Sequence, residues 1–548
     1  MDTRLRLAVA AFICLLPLVP LTARLAQLQV MQHRALETRA SDEFSRSSEE
    51  VVPRADILDR NGNVLAQSIP VWSCFVDRRM APDVEPLAAR LAAIIRVPAS
   101  EIARRIRAEK RFAWVKTNLS YEEASAIGRA RLEGVGVTAS QQRFYPNGDL
   151  ARGVLGQTSS EGRGVSGVEL ALDSSLSGKP RKLKVIRDGA GKTIFKGAEE
   201  DPPAPEPVRL TIDRNVQFFA EEALGEAAAK YSIGSGVVAV QDPNNGELLA
   251  LASYPPDPLR NAAVQDTYEP GSTFKAVTVA AALEEGAIAP ADTFFCENGS
   301  YELAPGVVIH DHEAEGTLDV AGILEHSSNI GAAKIVARLG ALKFYRYARA
   351  FGFANKTGLP LPGETAGELR PLSDMNKVAL AAAGYGYGIG VSPLQVLGAY
   401  SAIANGGTLW EPLLVKSQRP ARVRRVASER TIKTLQGMLE GVVERAATSA
   451  KIQGYRVAGK TGTARRLDPT THRYSQTSYN ASFAGFLPAS RPLWTILVVI
   501  EDPKGQYYGA QVAAPIFAQL GKRLLTVKGA RPDAPATLRL AAAGKAAR

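Results

Sequence analysis

From residue 7 to residue 23 the chain carries no charge, while Arg4, Arg6, Arg24, Arg34 and Arg39 flank the run on both sides. Its length sits at the lower limit for a helix that spans a bilayer. A secretory leader would end on small residues in an A-x-A arrangement, and here Leu21 stands where the first small residue should be, two positions before Ala23. The run therefore reads as an uncleaved anchor, although Pro17 and Pro20 also suit the apolar core of a leader. Arginines on both flanks leave its orientation open. No later stretch reads as a second span, so residues 1–24 are expected to be a short tail and anchor, with the body of the chain on one side of the membrane.

That body is large. A chain of 548 residues with 45% apolar and 22% charged residues holds two or three domains with cores of their own, which excludes a disordered chain, a coiled coil and a single small module. The net charge of +11 suits nucleic acid, anionic lipid or an acidic polymer and does not choose among them. Cys14, Cys74 and Cys296 lack C-x-x-C spacing, so neither a zinc ribbon nor a disulfide framework is indicated, and whether Cys74 and Cys296 meet is open. His310 and His312 beside Glu313 read as solvated loop residues rather than metal ligands.

Apolar residues at helical spacing from Leu25 to Leu36 continue the anchor as a stalk. A hairpin pattern follows around Asn61-Gly62, then a charged helical stretch over residues 86–108. Residues 200–207, Glu-Asp-Pro-Pro-Ala-Pro-Glu-Pro, can hold neither a helix nor a central strand and read as a linker. It divides residues 25–205, a stalk and strand-rich segment, from residues 206–526. In the second part, strand patterns at residues 208–212, 237–240 and 248–252 precede a helical body to about Asn405. Strands return near residues 456–464, 482–486 and 494–500, and a helix covers residues 513–525. Strands at both ends of a helical body predict an α+β domain with an antiparallel sheet flanked by helices. Residues 527–548 read as a basic flexible tail.

The run Tyr268-Glu269-Pro270-Gly271-Ser272-Thr273-Phe274-Lys275 leads into an apolar stretch that ends at Leu283. Pro270 and Gly271 mark a helix start, and a stretch apolar on all sides is a buried helix. Ser272 then shares a face with Lys275, three residues on. A buried lysine gives up its proton readily and can serve as base for the serine hydroxyl. Alone, S-x-x-K is more often a capping serine followed by a surface lysine. In Ser327-Ser328-Asn329 a hydroxyl and an amide two apart can enter one cleft, the first passing protons and the second donating to a carbonyl, or they can simply cap a helix. In Gly459-Lys460-Thr461-Gly462-Thr463-Ala464, a lysine and threonines on a strand suit a carboxylate-bearing substrate lying alongside the backbone. Backbone N–H groups there could also serve a developing oxyanion. Residues 454–461 fit the phosphate-loop pattern too, but they are bulky and strand-like and no helix start follows. No G-x-S-x-G elbow is present for a Ser-His-Asp triad.

The order S-x-x-K, S-x-N, K-T-G is that of penicillin-binding proteins and serine β-lactamases. With these residues in view, the chain resembles a class B penicillin-binding protein, a peptidoglycan D,D-transpeptidase. Arg54-Ala55-Asp56-Ile57-Leu58-Asp59-Arg60-Asn61-Gly62 resembles the opening of that family's non-catalytic pedestal (dimerisation-type) domain, with Ala55 in place of the usual glycine. Residues 164–178 resemble its second block, and residues 384–395, 405–407 and 483–489 resemble stretches of its transpeptidase domain. The Ser-Ser-Asn-Ile-Gly and Tyr-Glu-Pro-Gly-Ser-Thr-Phe-Lys forms are most similar to the septal, cell-division enzymes. Arg465, where glutamine is usual, is a further departure.

The resemblance implies that Ser272 attacks the penultimate D-alanine of a stem peptide and Lys275 takes its proton. Ser327 with Lys460 would relay that proton to the leaving D-alanine. Asn329 would hold the side of the peptide, Thr461 and Thr463 its terminal carboxylate, and Gly462 would let the substrate backbone approach. The N–H groups of Ser272 and Thr463 would form the oxyanion hole. No metal or organic cofactor and no nucleic acid is implied. The implied partners are stem peptides, β-lactams, a polytopic glycosyltransferase and other division proteins, with the catalytic domain outside the cytoplasmic membrane. The alternatives are an elongation-specific transpeptidase, a β-lactam sensor, a β-lactamase, for which no water-activating group is identified, and a non-catalytic scaffold of the division machinery.

Overall fold

The computed structural model describes residues 3–534 apart from positions 51, 82, 180, 188–192, 201–202, 417, 469–470 and 472. The basic tail expected over residues 527–548 therefore lies mostly outside the described residues, as do Asp201 and Pro202 of the linker. The chain divides into two units, Met1–Arg54 with Ser177–Pro205, and Ala55–Leu176 with Glu206–Arg548.

The first unit opens with the stretch Thr3–Met31, which contains 18 consecutive residues of mean hydropathy 2.1 and is the one helix among the described residues long and apolar enough to cross a membrane. Its backbone turns at Leu16-Pro17, between Thr3–Leu15 and Leu18–Ala26, because proline removes a helical donor there. The helix His33–Phe44 follows. Ser45–Glu50, Arg181–Arg187 and Thr193–Glu200 make a three-stranded antiparallel sheet with Arg181–Arg187 in the middle.

The second unit begins with the hairpin around Asn61-Gly62. Ile57–Leu58 pairs antiparallel with the start of Val64–Asp77, and the Asp59 carboxylate accepts the N–H groups of Asn61 and Asn63 at 2.8 Å each. The helical stretch expected over residues 86–108 is two helices, Val84–Ile95 and Ala99–Ala108. Arg96, at φ +55°, and Pro98 separate them, since a left-handed residue and a proline each end a helix. They cover one side of a small sheet around Cys74, Leu91, Ile102, Ile106 and Val115. Ile57, Leu65, Val154, Leu155 and Leu176 belong instead to the large core shared with Leu210 and most of the buried apolar residues after it.

That large core surrounds a five-stranded antiparallel sheet. Its strands are β1 (Ser235–Gln241), β2 (Leu248–Tyr254), β3 (Ala458–Leu467), β4 (Tyr474–Leu487) and β5 (Trp494–Glu501), in the order β2-β1-β5-β4-β3. Strands from both ends of the domain thus meet in one sheet, with β1 and β2 forming a hairpin. Nearly every residue of β1 and β5 is buried, so both faces of the sheet are covered. Helices α1 (Arg214–Tyr231) and α6 (Gly509–Lys528) pack against each other on one face, and α4 (Pro393–Ala404) lies on β1, β4 and β5. Between them in sequence come α2 (Lys275–Glu284) and α3 (Asn329–Leu339), with α5 (Glu429–Arg445) lying against β3 and α2. The strand expected over residues 208–212 is shorter, Val208–Arg209, because the chain then changes partner: Leu210 bridges to Val415 and the Thr211 hydroxyl meets the carbonyls of Leu248 and Leu413 at 2.8 and 2.7 Å.

Close backbone packing holds residues 154–170 in place. Gly156, at φ +77°, faces Ser166 so tightly that an added Cβ would stand 2.0 Å from its carbonyl oxygen. A side chain there meets both a disfavoured backbone conformation and a backbone atom that cannot move aside. Gly156→Ala is expected to destabilise the second unit by about 3 kcal/mol or more, seen as a fall in melting temperature in calorimetry, whereas Gly148→Ala, where a Cβ would meet nothing within 4 Å, should cost much less.

Candidate active site

The serine run, the Ser-Ser-Asn turn and the edge strand β3 meet at one point. Gly271 enters the serine turn at φ +53° and donates its N–H to the carbonyl of Gly386 at 3.0 Å. Gly386 is itself at φ +88°, and a Cβ there would lie 2.1 Å from the Gly271 carbonyl oxygen. Residues Gly271–Phe274 form a tight 3-10 turn, so the helix proper starts at Lys275 rather than at Ser272, as helix starts often do. The buried Tyr400 hydroxyl of α4 donates to the Thr273 carbonyl at 2.8 Å, and Phe274 packs against Phe344 and Phe353. Every residue of α2 from Lys275 to Ala282 is buried.

The Lys275 amine stands 3.0 Å from Ser272 Oγ, 2.8 Å from Asn329 Oδ1 and 3.3 Å from Ser327 Oγ, and it also donates to the Ser327 carbonyl. The Lys460 amine lies 3.0 Å from Ser327 Oγ and 3.2 Å from the Thr461 carbonyl. The Ser327 hydroxyl therefore sits between two lysines. Ser327 takes φ +56°, a conformation that costs a side-chain-bearing residue on the order of 1 kcal/mol. The middle residue of the turn, Ser328, caps α3 by accepting the Gly331 N–H at 2.8 Å, so the capping falls on Ser328 while Ser327 and Asn329 face Lys275.

Lys275 is fully buried and Lys460 nearly so, 0% and 1% exposed. Burial disfavours an ammonium. It pulls Lys275 well below the ordinary lysine range, helped by the Lys460 charge and partly opposed by Asp311 and Cys296, and it pulls Lys460 down to about 7. A neutral Lys275 has a lone pair aimed at the Ser272 hydroxyl, which makes it a base.

Strand β3 is an edge of the main sheet. It pairs with β4 on one side, and its other edge carries no strand among the described residues. Thr461 and Thr463 are half-buried along it. The Thr463 hydroxyl accepts the Gly509 N–H at 2.9 Å, which ties β3 to the start of α6. Gly462 is glycine for a reason within the fold: a Cβ there would stand 2.4 Å from Ser482 Oγ and 3.0 Å from the Pro270 carbonyl, so the serine turn lies directly against the strand.

Spacing alone did not reveal several neighbours. Asp311 lies at the start of α3, and the only sign of it in the sequence is its place in a polar loop between two histidines. The Glu269 carboxylate, pushed upward by burial, accepts the Gly388 N–H at 2.6 Å and the Tyr474 hydroxyl at 2.9 Å. His310 and His312 do not gather around Glu313; instead Glu313, Glu315 and His326 approach one another, with His326 Nδ1 2.7 Å from Glu315 on the exposed rim. Cys74 and Cys296 are both buried and free.

Residues 236–522 match the penicillin binding protein transpeptidase domain, and residues 49–209 match the penicillin-binding protein dimerisation domain. The chain belongs to the penicillin-binding protein transpeptidases. Across 93% of its length it is 32% identical to stage V sporulation protein D of Bacillus subtilis, covering 83% of that protein. Across 97% it is 31% identical to the peptidoglycan D,D-transpeptidase FtsI of Escherichia coli, covering 93% of it. Among solved structures, a peptidoglycan synthetase from Bifidobacterium adolescentis superposes with a TM-score of 0.73 at 26% identity, over 90% of this chain and 98% of that one. Penicillin binding protein 3 of Mycobacterium tuberculosis complexed with aztreonam gives 0.68 at 26% identity, over 89% and 99%.

For a penicillin-binding transpeptidase, the proximity of the two lysines has a measurable consequence. A charged Lys460 lowers the pKa of Lys275, so removing it raises that pKa, and the base then becomes neutral only at higher pH. Lys460→Gln is expected to slow acylation by a β-lactam and to move the acidic limb of the rate profile to higher pH, measured as the second-order acylation rate from pH 5.5 to 9. An unmoved limb would count against the coupling.

Proposed function

We propose that the chain is a septal peptidoglycan D,D-transpeptidase that cross-links stem peptides through an acyl-serine intermediate and is acylated at the same serine by β-lactams. The observation that carries this reading is the chain of contacts from Ser272 through Lys275 to Ser327 and Lys460 beside the free edge of β3. In it Ser272 Oγ gives its proton to Lys275 Nζ and attacks the carbonyl carbon of the penultimate D-alanine. The tetrahedral oxyanion is met by the N–H groups of Ser272 and Thr463. Collapse breaks the amide bond, the proton passes through Ser327 and Lys460 to the departing amine, and free D-alanine leaves. An amine of a second stem peptide then attacks the ester, its proton returning along the same path, and Ser272 is regenerated as the cross-link forms.

The donor peptide lies as an added strand along β3. Asn329 holds its side, Thr461 and Thr463 hold its terminal carboxylate, and Gly462 keeps the strand surface low beside the serine turn. Lys460 leaves positive charge near the carboxylate. The apolar helix Thr3–Met31 serves as the anchor, with the catalytic domain outside the cytoplasmic membrane. Residues 25–205 act as stalk and pedestal, residues 206–526 as the transpeptidase domain, and a polytopic glycosyltransferase and other division proteins are the partners. The likeness to FtsI over nearly the full length supports this reading over a sensor, a β-lactamase or a scaffold.

The test is incubation of the purified protein with a fluorescent penicillin, followed by digestion and mass spectrometry. A lasting adduct on Ser272, absent in Ser272→Ala, is the expected result. Rapid turnover without an adduct would point to a β-lactamase, and no reaction from folded protein to a scaffold. Lys275→Arg is expected to slow acylation by at least about 10³-fold, because arginine stays protonated and cannot act as base. Acylation at the normal rate in that variant would remove Lys275 from its role.

A further inference from the structure

We propose that Asp311 is a positioning residue for this reaction: its carboxylate closes the start of α3 and thereby holds Ser327 and Asn329 against the amine of Lys275. The proposal rests on the transpeptidase reading of the site. Asp311 Oδ1 accepts the N–H groups of Asn329 at 2.5 Å and Ile330 at 3.0 Å, and Oδ2 accepts the Ser328 hydroxyl at 2.5 Å. The first N–H groups of a helix have no partner within it, and a carboxylate is the group best suited to take them. Three donors from three successive residues, Ser328, Asn329 and Ile330, thus converge on one side chain. Ser327 directly precedes them in its left-handed conformation, and its own hydroxyl and carbonyl both face lysine amines. What keeps it there is the residue that follows it, and that residue is held by Asp311.

The loop carrying Asp311 also decides which way the Asn329 amide is turned. Asn329 Nδ2 donates to the carbonyl of His310, the neighbour of Asp311, at 2.9 Å, which leaves Oδ1 facing Lys275 at 2.8 Å. Turning the amide over would set an N–H group against the lysine amine and an oxygen against a carbonyl, so the orientation shown is the one the network permits. The loop is anchored in turn: the Asp311 N–H donates to the Gly299 carbonyl at 3.1 Å, and His326, just before Ser327, pairs with Glu315.

Asp311 is at the same time the acidic counterweight to burial at the Lys275 amine. The ionisable groups that act on Lys275 are Lys460 from β3, Asp311 from this loop and the Cys296 thiol, and the acid and the thiol work against burial and Lys460. Asp311 therefore acts on position and on charge together, and the two effects separate by substitution. Asp311→Asn keeps the size, removes the charge and replaces one acceptor by a donor. Asp311→Glu keeps the charge and misplaces it.

The measurement is the second-order rate of acylation by a fluorescent penicillin at Ser272, from pH 5.5 to 9, alongside the melting temperature. Asp311→Asn is expected to acylate about 10- to 100-fold more slowly, the scale set by misplacing a reacting group by about 1 Å, with the acidic limb moved to lower pH. The sign follows from loss of a negative charge beside Lys275, which makes the amine neutral at lower pH. Asp311→Glu is expected to lose rate without that movement of the limb. A wild-type rate and limb in Asp311→Asn would overturn the proposal, and so would a loss of rate that merely tracks a lower melting temperature with the limb unmoved. If Asp311→Asn does not fold, Ser328→Ala decides, since it leaves the carboxylate and removes its bond to the Ser328 hydroxyl together with the Gly331 cap, whose loss the melting temperature reads: a severalfold loss of rate at unchanged melting temperature supports positioning, and a wild-type rate overturns it. No adduct on wild-type Ser272 would be a failure of the transpeptidase reading and not of this one.

Discussion

Two lysine amines taken out of water beside a serine hydroxyl are the constraint on which the rest of this structure turns. An ammonium ion in a dry interior is costly, so the fold must either pair it with an acid or let it lose its proton. Among the described residues neither lysine forms a salt bridge; each is ringed by hydroxyl and carbonyl oxygens, with the Asp311 carboxylate one residue removed. The result is a lysine whose proton is held loosely enough for the neutral amine to act as a base. The same burial explains why the neighbourhood is so rigid: α2 is enclosed on all sides, Tyr400 pins the serine turn, and Gly386 and Gly462 admit backbone where a methyl group could not fit.

The architecture around this point follows from where β3 lies. A strand in the middle of the sheet would have both its edges used, and a peptide could not lie along it. At the edge, no strand pairs with its outer side among the described residues, which is ordinarily a hazard for a soluble protein and is what the proposed function uses as the recognition surface. The sheet order puts the two N-terminal strands at the opposite edge, and the helical residues 255–457 emerge between them and β3. That insertion is what brings Ser272, from its beginning, and Ser327, from its middle, back against a strand formed much later in the chain.

Much of this was readable in the chain before any coordinates, and the reason is periodicity. The strands β1 and β2, the three C-terminal strands and the buried helix behind Ser272 all carry hydrophobic patterns strong enough to be seen locally. The spacing of Ser272 and Lys275 is a helix turn and needs no tertiary information. The joining of that turn to Ser327 and Lys460 was legible through the order of three short motifs, which is a resemblance and not a local signal. Features set by tertiary packing were not legible. The break at Arg96 came from a left-handed residue that no pattern announces, the strand after Val208 was cut short by a change of partner, and Gly462 proved to answer to Ser482 and Pro270 of its own fold.

Asp311 shows most clearly why such residues escape. It lies in a run of histidine and acidic residues that by composition is a solvated loop, and most of its neighbours there do face solvent. Its importance comes from three donors that belong to another segment and exist only because α3 begins where it does. A motif reader sees Ser327 and Asn329 because their side chains touch the chemistry. It passes over the side chain that makes their geometry possible, since that side chain touches only backbone and the silent residue between them. Active sites built on a turn rather than within a helix or strand should carry such a residue as a rule, because a turn has no internal hydrogen-bond ladder to fix it and must borrow its partners from outside.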